Sequence, residues 1–103
     1  MPKAKQIPVP HPGETLLEDF MQPLGLSQYR VAKDLGVAPL RISQIIRGQR
    51  AVSADTALRL ARYTGTSPQF WLNLQLAFDL RKAEQSLAGR IAKEVRVLER
   101  QAA

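Results

Sequence analysis

The residues with the most distinctive chemistry lie between positions 36 and 48, a stretch that holds amides, hydroxyls and arginines but no carboxylate. At about 100° per residue, Leu40, Ser43, Gln44 and Arg47 fall on one side of a helix. A helix side that faces only solvent more often carries Glu and Lys. Hydrogen-bonding groups without carboxylates are what a helix needs in order to enter the major groove of DNA.

Each of these side chains can make a known kind of contact with a base edge. Gln44 can read adenine with both amide atoms or act as a general donor, and Ser43 can bond to either base type. Leu40 and Pro39 can meet a thymine methyl group, while the arginines reach guanine or flanking phosphates. The predicted contact residues of this reading helix are Ala38, Pro39, Leu40, Arg41, Ser43, Gln44 and Arg47.

Further candidates flank the reading helix and could hold phosphates, which fix the position of a protein on a duplex. Gln28 would stand at the start of the preceding helix, where free backbone N–H groups also bind phosphate. Gln49 and Arg50 follow the glycine that ends the reading helix. These three residues complete the predicted DNA-binding set.

The spacing of residues 28–47 is that of a helix-turn-helix, in which two helices cross at about 90–120°. Ala32 lies where the helices would cross, and only a small side chain fits there. Gly36 comes four residues later, where the chain must turn with positive φ. Five apolar residues form the predicted shared core of the two helices: Val31, Leu35, Val37, Ile42 and Ile45.

Composition excludes several other classes of protein. The chain has 103 residues, the length of one domain, with 45% hydrophobic and 23% charged residues, as in soluble globular proteins. It contains no cysteine and one histidine, His11, so no metal site, nucleophile–histidine pair or cofactor is expected. No apolar run is long enough to span a membrane and no signal peptide is indicated, so we expect a cytoplasmic protein.

The charge balance favours a nucleic-acid partner. Fifteen Lys and Arg against nine Asp and Glu give a net charge of +6 and a pI near 10.3. Ten of the fifteen basic residues are arginine, which suits phosphates and guanine edges. A basic domain of this kind is a candidate for nucleic-acid binding.

Helical periodicity, together with the glycines, prolines and capping serines between the helical segments, predicts an all-α chain in three parts. Residues 1–12, which include four prolines, form an extended arm. Residues 13–78 form the helix-turn-helix domain, and residues 79–103 form a C-terminal amphipathic helical extension. The domain has five predicted helices: Gly13–Met21, Gln28–Leu35, Pro39–Arg47, Ala54–Thr64 and one that begins at Ser67 and Pro68. In the fourth helix, the residues predicted to face inward are Ala57, Leu58, Leu60 and Ala61.

An apolar stripe distinguishes the extension, because large apolar residues recur there every three or four positions. The stripe consists of Leu80, Ala83, Leu87, Ile91, Val95 and Leu98. Gly89 could interrupt the helix that carries it. Two interpretations stay open: the stripe binds a second copy or another partner, or it folds back on the core.

Residues 26–72 resemble a helix-turn-helix domain of the Cro/C1 type, also called XRE. Three motifs resemble the HigA family of antitoxins, also described as virulence-associated antidote proteins. These motifs are His11-Pro-Gly-Glu14, the segment from Gly36-Val37 to Arg47-Gly48, and Ser67-Pro-Gln-Phe-Trp-Leu-Asn-Leu-Gln75. The resemblance covers about residues 9–82, roughly three quarters of the chain.

The resemblance implies a five-helix, lambda-repressor-like fold that binds a palindromic operator in its own promoter as a homodimer. It also implies a protein partner, a RelE-like toxin that cuts mRNA on the ribosome and is silenced by the antitoxin. The reading helix of the family maps onto Ala38–Arg47. The chain departs from many relatives in its basic tail, Leu87–Ala103, and in the Pro39-Leu40-Arg41 opening of the reading helix.

Other functions stay open on the residues alone. A stand-alone XRE-type regulator without a toxin partner would show the same helix-turn-helix, and a helical interaction module would ignore nucleic acid. An enzyme such as a nuclease needs paired carboxylates, but Glu14, Glu18 and Asp19 lie in one early helix, so no enzyme is expected. We expect His11 to shape the start of the first helix and Trp71 to lie in the core.

Overall fold

The computed structural model describes residues 8–100 and contains only helices and their connections over that range. Helix α1 spans residues 12–24 in three continuous segments, α-helical Pro12–Thr15, π-helical Leu16–Met21 and α-helical Gln22–Leu24. The other helices are α2, Gln28–Leu35; α3, Pro39–Ile46; α4, Ala54–Thr64; and α5, Pro68–Glu94. The predicted arm begins with residues 1–7, which lie outside the described residues.

Serine caps begin three of the helices where the sequence predicted them. The hydroxyl of each serine accepts a hydrogen bond from the backbone N–H three residues later, at distances of 3.0–3.3 Å. These caps are Ser27, Ser53 and Ser67. The predicted bounds of α2 and α4 are confirmed, and α3 ends one residue before its predicted end because Arg47 is its C-cap.

The first helix is longer than the predicted Gly13–Met21, because it begins at Pro12, the last residue of the predicted arm, and because Pro23 does not end it. A proline inside an α-helix lacks an N–H and its ring clashes with the carbonyl four residues earlier. The wider π-helical turn avoids this clash, and Gln22 donates its N–H to the carbonyl of Leu17, five residues back. Gly25, with φ of 64°, then ends the helix.

The core lies where α1 to α4 meet the first turns of α5. Its buried apolar residues are Leu16, Met21, Val31, Ala32, Leu35, Ile42, Ile45, Val52, Ala57, Leu60, Ala61 and Trp71. Trp71 is fully buried, as predicted, and its indole N–H donates to Thr66 Oγ1 at 2.8 Å. The prediction that Leu58 faces inward is wrong, since it is 61% exposed and lies on the side of α4 opposite Leu60. Thr56 is buried on the inner side instead.

Helix α5 continues without a break through the predicted start of the extension at residue 79. Its 27 residues correspond to a length of about 40 Å. Gly89 does not interrupt it, and the helix ends at Glu94, so Val95 and Leu98 follow the helix rather than continue its stripe. The interpretation that the stripe folds back on the core is wrong, because Leu80 and Ile91 remain 55% and 49% exposed.

Candidate nucleic-acid interface

Helix α3 has the two faces that the sequence predicted. Ile42 and Ile45 are fully buried and hold the helix against the core. Pro39 occupies the first turn, where its missing N–H removes no hydrogen bond. The predicted outer residues are half-buried or exposed: Leu40, Ser43, Gln44 and Arg47. This outer face is therefore available to a partner along the whole length of the helix.

Helix α1 supports α3 by direct contact between backbones. Gly13 lies against the carbonyl group of Ile45, so closely that a Cβ atom on Gly13 would overlap it. His11 caps α1, because its Nδ1 accepts a hydrogen bond from the N–H of Gly13 at 3.0 Å. The prediction that His11 shapes the start of the first helix is confirmed. Its ring packs against that of Phe78 of α5 in a T-shaped arrangement, with 5.0 Å between ring centroids.

The loop that follows α3 is held in place by several hydrogen bonds. Gly48 adopts φ of 72° and donates its N–H to the carbonyl of Ile45 at 3.0 Å, and the N–H of Gln49 donates to the carbonyl of Gln44 at 2.8 Å. Farther along, the N–H of Val52 donates to Oε1 of Gln75 at 2.8 Å. The loop therefore has a fixed relation to both α3 and α5.

Gln75 supports the loop that follows α3, a role that was not predicted from the sequence. It is buried, with 7% of its surface exposed, and it also donates from Nε2 to Asp79 Oδ1 at 2.9 Å. Its position one helical turn after Trp71, on the apolar side of the helix, is the signal that could have identified it. A glutamine at an inward-facing position needs partners for its amide, and here a loop N–H is one of them.

Two of the predicted contact residues, Gln44 and Arg50, bind each other. Arg50 donates from Nε to Gln44 Oε1 at 2.8 Å. Arg47 is exposed at the C-cap of α3, and within residues 8–100 no side chain pairs with its guanidinium group. Gln28 is likewise exposed, at the first position of α2, and Ala38 is exposed at the N-cap of α3.

Arg41 differs from the other predicted contact residues, because its guanidinium group is paired with a carboxylate. It donates to Asp55 Oδ1 at 3.0 Å and so links α3 to α4. Asp55 also accepts from Nε of Arg59 at 2.8 Å, and these two arginines hold the pKa of the Asp55 carboxyl below its usual range. The role of Arg41 as a base or phosphate contact stays a prediction.

The carboxylates of α2 and α4, Asp34 and Asp55, are both paired with hydrogen-bond donors. Asp34 of α2 accepts from the hydroxyl of Tyr63 at 2.6 Å and from Nε of Arg30 at 2.8 Å. These hydrogen bonds lower the pKa of Asp34. From residue 36 to residue 54 the chain contains no carboxylate at all. The surface of α3 is therefore electrostatically compatible with the phosphates of DNA.

Metal clusters and membrane-spanning helices are both absent from the part of the chain that the structure describes. In that part, no three histidine or acidic side chains lie close enough together to hold a metal ion. None of its helices is both long enough and apolar enough to cross a membrane.

Comparison with known proteins places this geometry in a family. The helix-turn-helix family model HTH_3 matches residues 17–71. Virulence-associated protein I of Dichelobacter nodosus is 54% identical over 80 residues, which are 78% of this chain and 74% of that protein. Antitoxin HigA-1 of Vibrio cholerae is 39% identical over 80 residues, again 78% of this chain and 74% of that protein.

Solved structures agree with the sequence comparison. The structure of antitoxin GraA in complex with its operator has a TM-score of 0.85 and 45% sequence identity, and it covers 97% of this chain and 100% of that chain. HigA-1 and GraA are both described as antitoxins. The matched domain, the relatives and the shared fold show that the chain belongs to the HTH_3 helix-turn-helix family, among the HigA-type antitoxins.

Proposed function

We propose that this protein is the antitoxin of a type II toxin–antitoxin module, which binds operator DNA as a dimer, represses its own operon and neutralises a RelE-like, mRNA-cleaving toxin. The observation that carries the DNA-binding half is the open, carboxylate-free face of α3. Its side chains are those that read base edges in the major groove. Both activities belong to the cytoplasm, where the operon and the ribosomes are found.

In the complex that we propose, α3 enters the major groove and its neighbours hold the backbone. Ser43, Gln44 and Leu40 face the bases, while Arg47 and the exposed start of α2 at Gln28 bind flanking phosphates. Most of the affinity comes from the release of counterions when basic residues neutralise phosphates, so binding weakens steeply as salt rises. The similarity to GraA bound to its operator supports this arrangement.

A homodimer follows from the need to read both halves of a palindromic site. Two copies of α3 must lie about 34 Å apart to enter successive major grooves on one side of the duplex. The apolar stripe of α5 supports self-association, because it contributes to an open, mainly apolar surface lined by Leu80, Ala83, Ala88, Ile91 and Ala92, with Glu84 also in the lining. Burial of this surface against a second copy would remove it from water, which favours association.

Toxin neutralisation rests on the relationship to HigA-type antitoxins. We propose that the antitoxin binds the toxin directly and occludes the surface with which the toxin cuts mRNA. The partner is expected to be encoded next to this gene, since an antitoxin that represses its own operon controls both proteins together.

Co-purification tests both halves of the proposed function. The protein is expressed with its neighbouring reading frame, and the complex is then used in a mobility-shift assay on the shared promoter. We expect a small basic protein to co-purify with this chain and to inhibit growth when it is expressed alone. We also expect the complex to shift the promoter fragment, and the shift to weaken as salt rises. A shift without any co-purifying neighbour would instead identify a stand-alone XRE-type regulator. No shift at low salt would overturn the DNA-binding half.

A further inference from the structure

The contact between Arg50 and Gln44 determines which end of the Gln44 amide is free. The carbonyl oxygen Oε1 accepts the hydrogen bond from Nε of Arg50 at 2.8 Å. Among residues 8–100, none accepts a hydrogen bond from Nε2 of Gln44, so both of its N–H groups are available. An unrestrained glutamine can turn its amide and exchange the positions of its donor and acceptor.

Arg50 is suited to hold this amide because its own backbone is fixed. The loop before it is closed by the hydrogen bonds of Gly48 and Gln49 to the last turn of α3. Two residues after Arg50, the N–H of Val52 is bound to Oε1 of Gln75. The backbone position of Arg50 is therefore well defined. Its charged guanidinium group is also a strong hydrogen-bond donor to the neutral amide of Gln44.

We propose that Arg50 is a positioning residue for DNA recognition: it holds Oε1 of Gln44 so that the N–H groups of Nε2 face the base edges. This inference rests on the proposed function, since it concerns the same DNA-binding face. It assigns to Arg50 a role in sequence discrimination beyond the phosphate contact that its charge predicts.

The chemical consequence is a preference for acceptors at the base pair that Gln44 reads. In the major groove, guanine presents two acceptors, N7 and O6, whereas adenine presents one acceptor and one donor. An amide held with its N–H groups outward matches guanine best. If the amide were free to turn, it would also match adenine, through one donor and one acceptor. Arg50 therefore favours guanine over adenine at this position.

The first test is a competition mobility-shift assay on operator duplexes that differ only at the base pair read by Gln44. That pair is identified as the one at which Gln44→Ala abolishes discrimination. We expect the wild type to prefer guanine by about tenfold. Arg50→Ala should bind guanine and adenine duplexes alike, and Arg50→Lys should restore part of the preference because it also donates to Oε1. The double variant Gln44→Ala, Arg50→Ala should show the same ratio of affinities for the guanine and adenine duplexes as Gln44→Ala alone.

Arg62→Ala is the matched control, since it removes one positive charge from an exposed arginine of α4 that lies beside Tyr63 and outside the proposed DNA face. It should leave the base preference unchanged. If Arg50→Ala lowers affinity equally on all duplexes and keeps the tenfold preference, Arg50 contacts only phosphate and the inference is overturned. A wild type that binds guanine and adenine duplexes alike would overturn the inference alone, whereas a wild type that binds none of the duplexes would overturn the DNA-binding half of the proposed function as well.

A second measurement separates these failures because it needs no DNA. In the free protein, the NMR signal of the Arg50 Nε–H group reports its hydrogen bond. We expect this signal to shift in Gln44→Ala and to remain in place in Arg62→Ala. If Gln44→Ala leaves the Arg50 signal unmoved, the two side chains do not bind each other in solution and the positioning role is overturned, whatever the protein does with DNA.

Discussion

Gly13 and Ile45 bring the backbones of α1 and α3 into contact, with no room for a side chain between them. A Cβ atom on Gly13 would overlap the carbonyl group of Ile45 and crowd the Cα atom of Ile46. Because this contact involves the last turn of the reading helix, α1 determines the position of α3 relative to the rest of the domain. The glycine of the His-Pro-Gly-Glu motif is therefore a packing requirement of the proposed DNA-binding face.

Gly13→Ala should lower the free energy of unfolding by about 1–3 kcal/mol, because the added methyl group forces the two helices apart. Urea unfolding measures this change. The matched control is Gly89→Ala in α5, where a Cβ atom would meet no other atom within 4 Å. That substitution should raise stability by up to about 1 kcal/mol, since alanine favours a helix over glycine. Equal effects at the two glycines would contradict the packing argument.

Local signals in the sequence were sufficient to predict most of the fold. Ser27 and Ser53 with the glycines that follow their helices fixed the bounds of α2 and α4, because caps and left-handed stops act over a few residues. The π-helical turn before Pro23 could not be predicted, since it depends on how one helix relieves a clash. Leu58 was predicted to face inward because apolar residues usually do, but it lies on the side of α4 opposite the buried Leu60 and is exposed.

The candidate site could be predicted as a face but not as a set of contacts. Helical periodicity placed Ser43 and Gln44 on the outer side of α3, and the absence of carboxylates suggested their use. The pairing of Arg41 with Asp55 joins residues fourteen positions apart, and no local pattern specifies it. The hydrogen bond from Arg50 to Gln44 depends on the path of a loop, which sequence periodicity does not describe.

Stability should depend on pH through His11. Burial lowers the pKa of His11 below its ordinary value of 6.5, although the charges of Asp79 and Glu14 oppose the shift. The unfolded chain therefore binds this proton more readily than the folded one, so stability is full above pH 6.5 and falls as the pH drops towards the folded pKa. Protonation also removes the Nδ1 lone pair that caps Gly13.

Urea unfolding at pH 7, 6 and 5 measures the pH dependence of stability, and His11→Asn is the matched variant. Asparagine can cap a helix but does not titrate in this range. The variant should be less stable at pH 7, because it loses the ring contact with Phe78, but its stability should change less between pH 7 and pH 5. The same slope in both proteins would show that His11 is not the group responsible.

Gln75→Leu should destabilise the fold by about 1–3 kcal/mol, because it leaves the buried N–H of Val52 without an acceptor. The loop between α3 and α4 should also become less protected in amide hydrogen exchange. Gln85→Leu makes the same change at an exposed position of the same helix and should alter stability by no more than about 0.5 kcal/mol. Unchanged exchange at Val52 in the Gln75 variant would contradict the proposed support of the loop.

Ser43→Glu combined with Gln44→Glu should abolish binding to promoter DNA, because two carboxylates on the outer face of α3 would be repelled by phosphates and could not bind acceptors on bases. Both positions are half-buried at the surface, so circular dichroism should show an intact fold. Gln69→Glu with Asn73→Glu adds the same charge on exposed positions of α5 and should leave most of the affinity. Retained binding by the α3 variant would exclude this face as the DNA contact.

Ile91→Glu should weaken the proposed homodimer, because a two-fold contact along α5 would bury two carboxylates against apolar surface. Sedimentation should show a shift from dimer towards monomer, and affinity for a palindromic operator should fall with it, since a monomer reads one half-site. Val97→Glu is the control, because Val97 is 83% exposed and lies beyond the end of the helix. A dimer of unchanged stability in Ile91→Glu would place the self-association surface elsewhere.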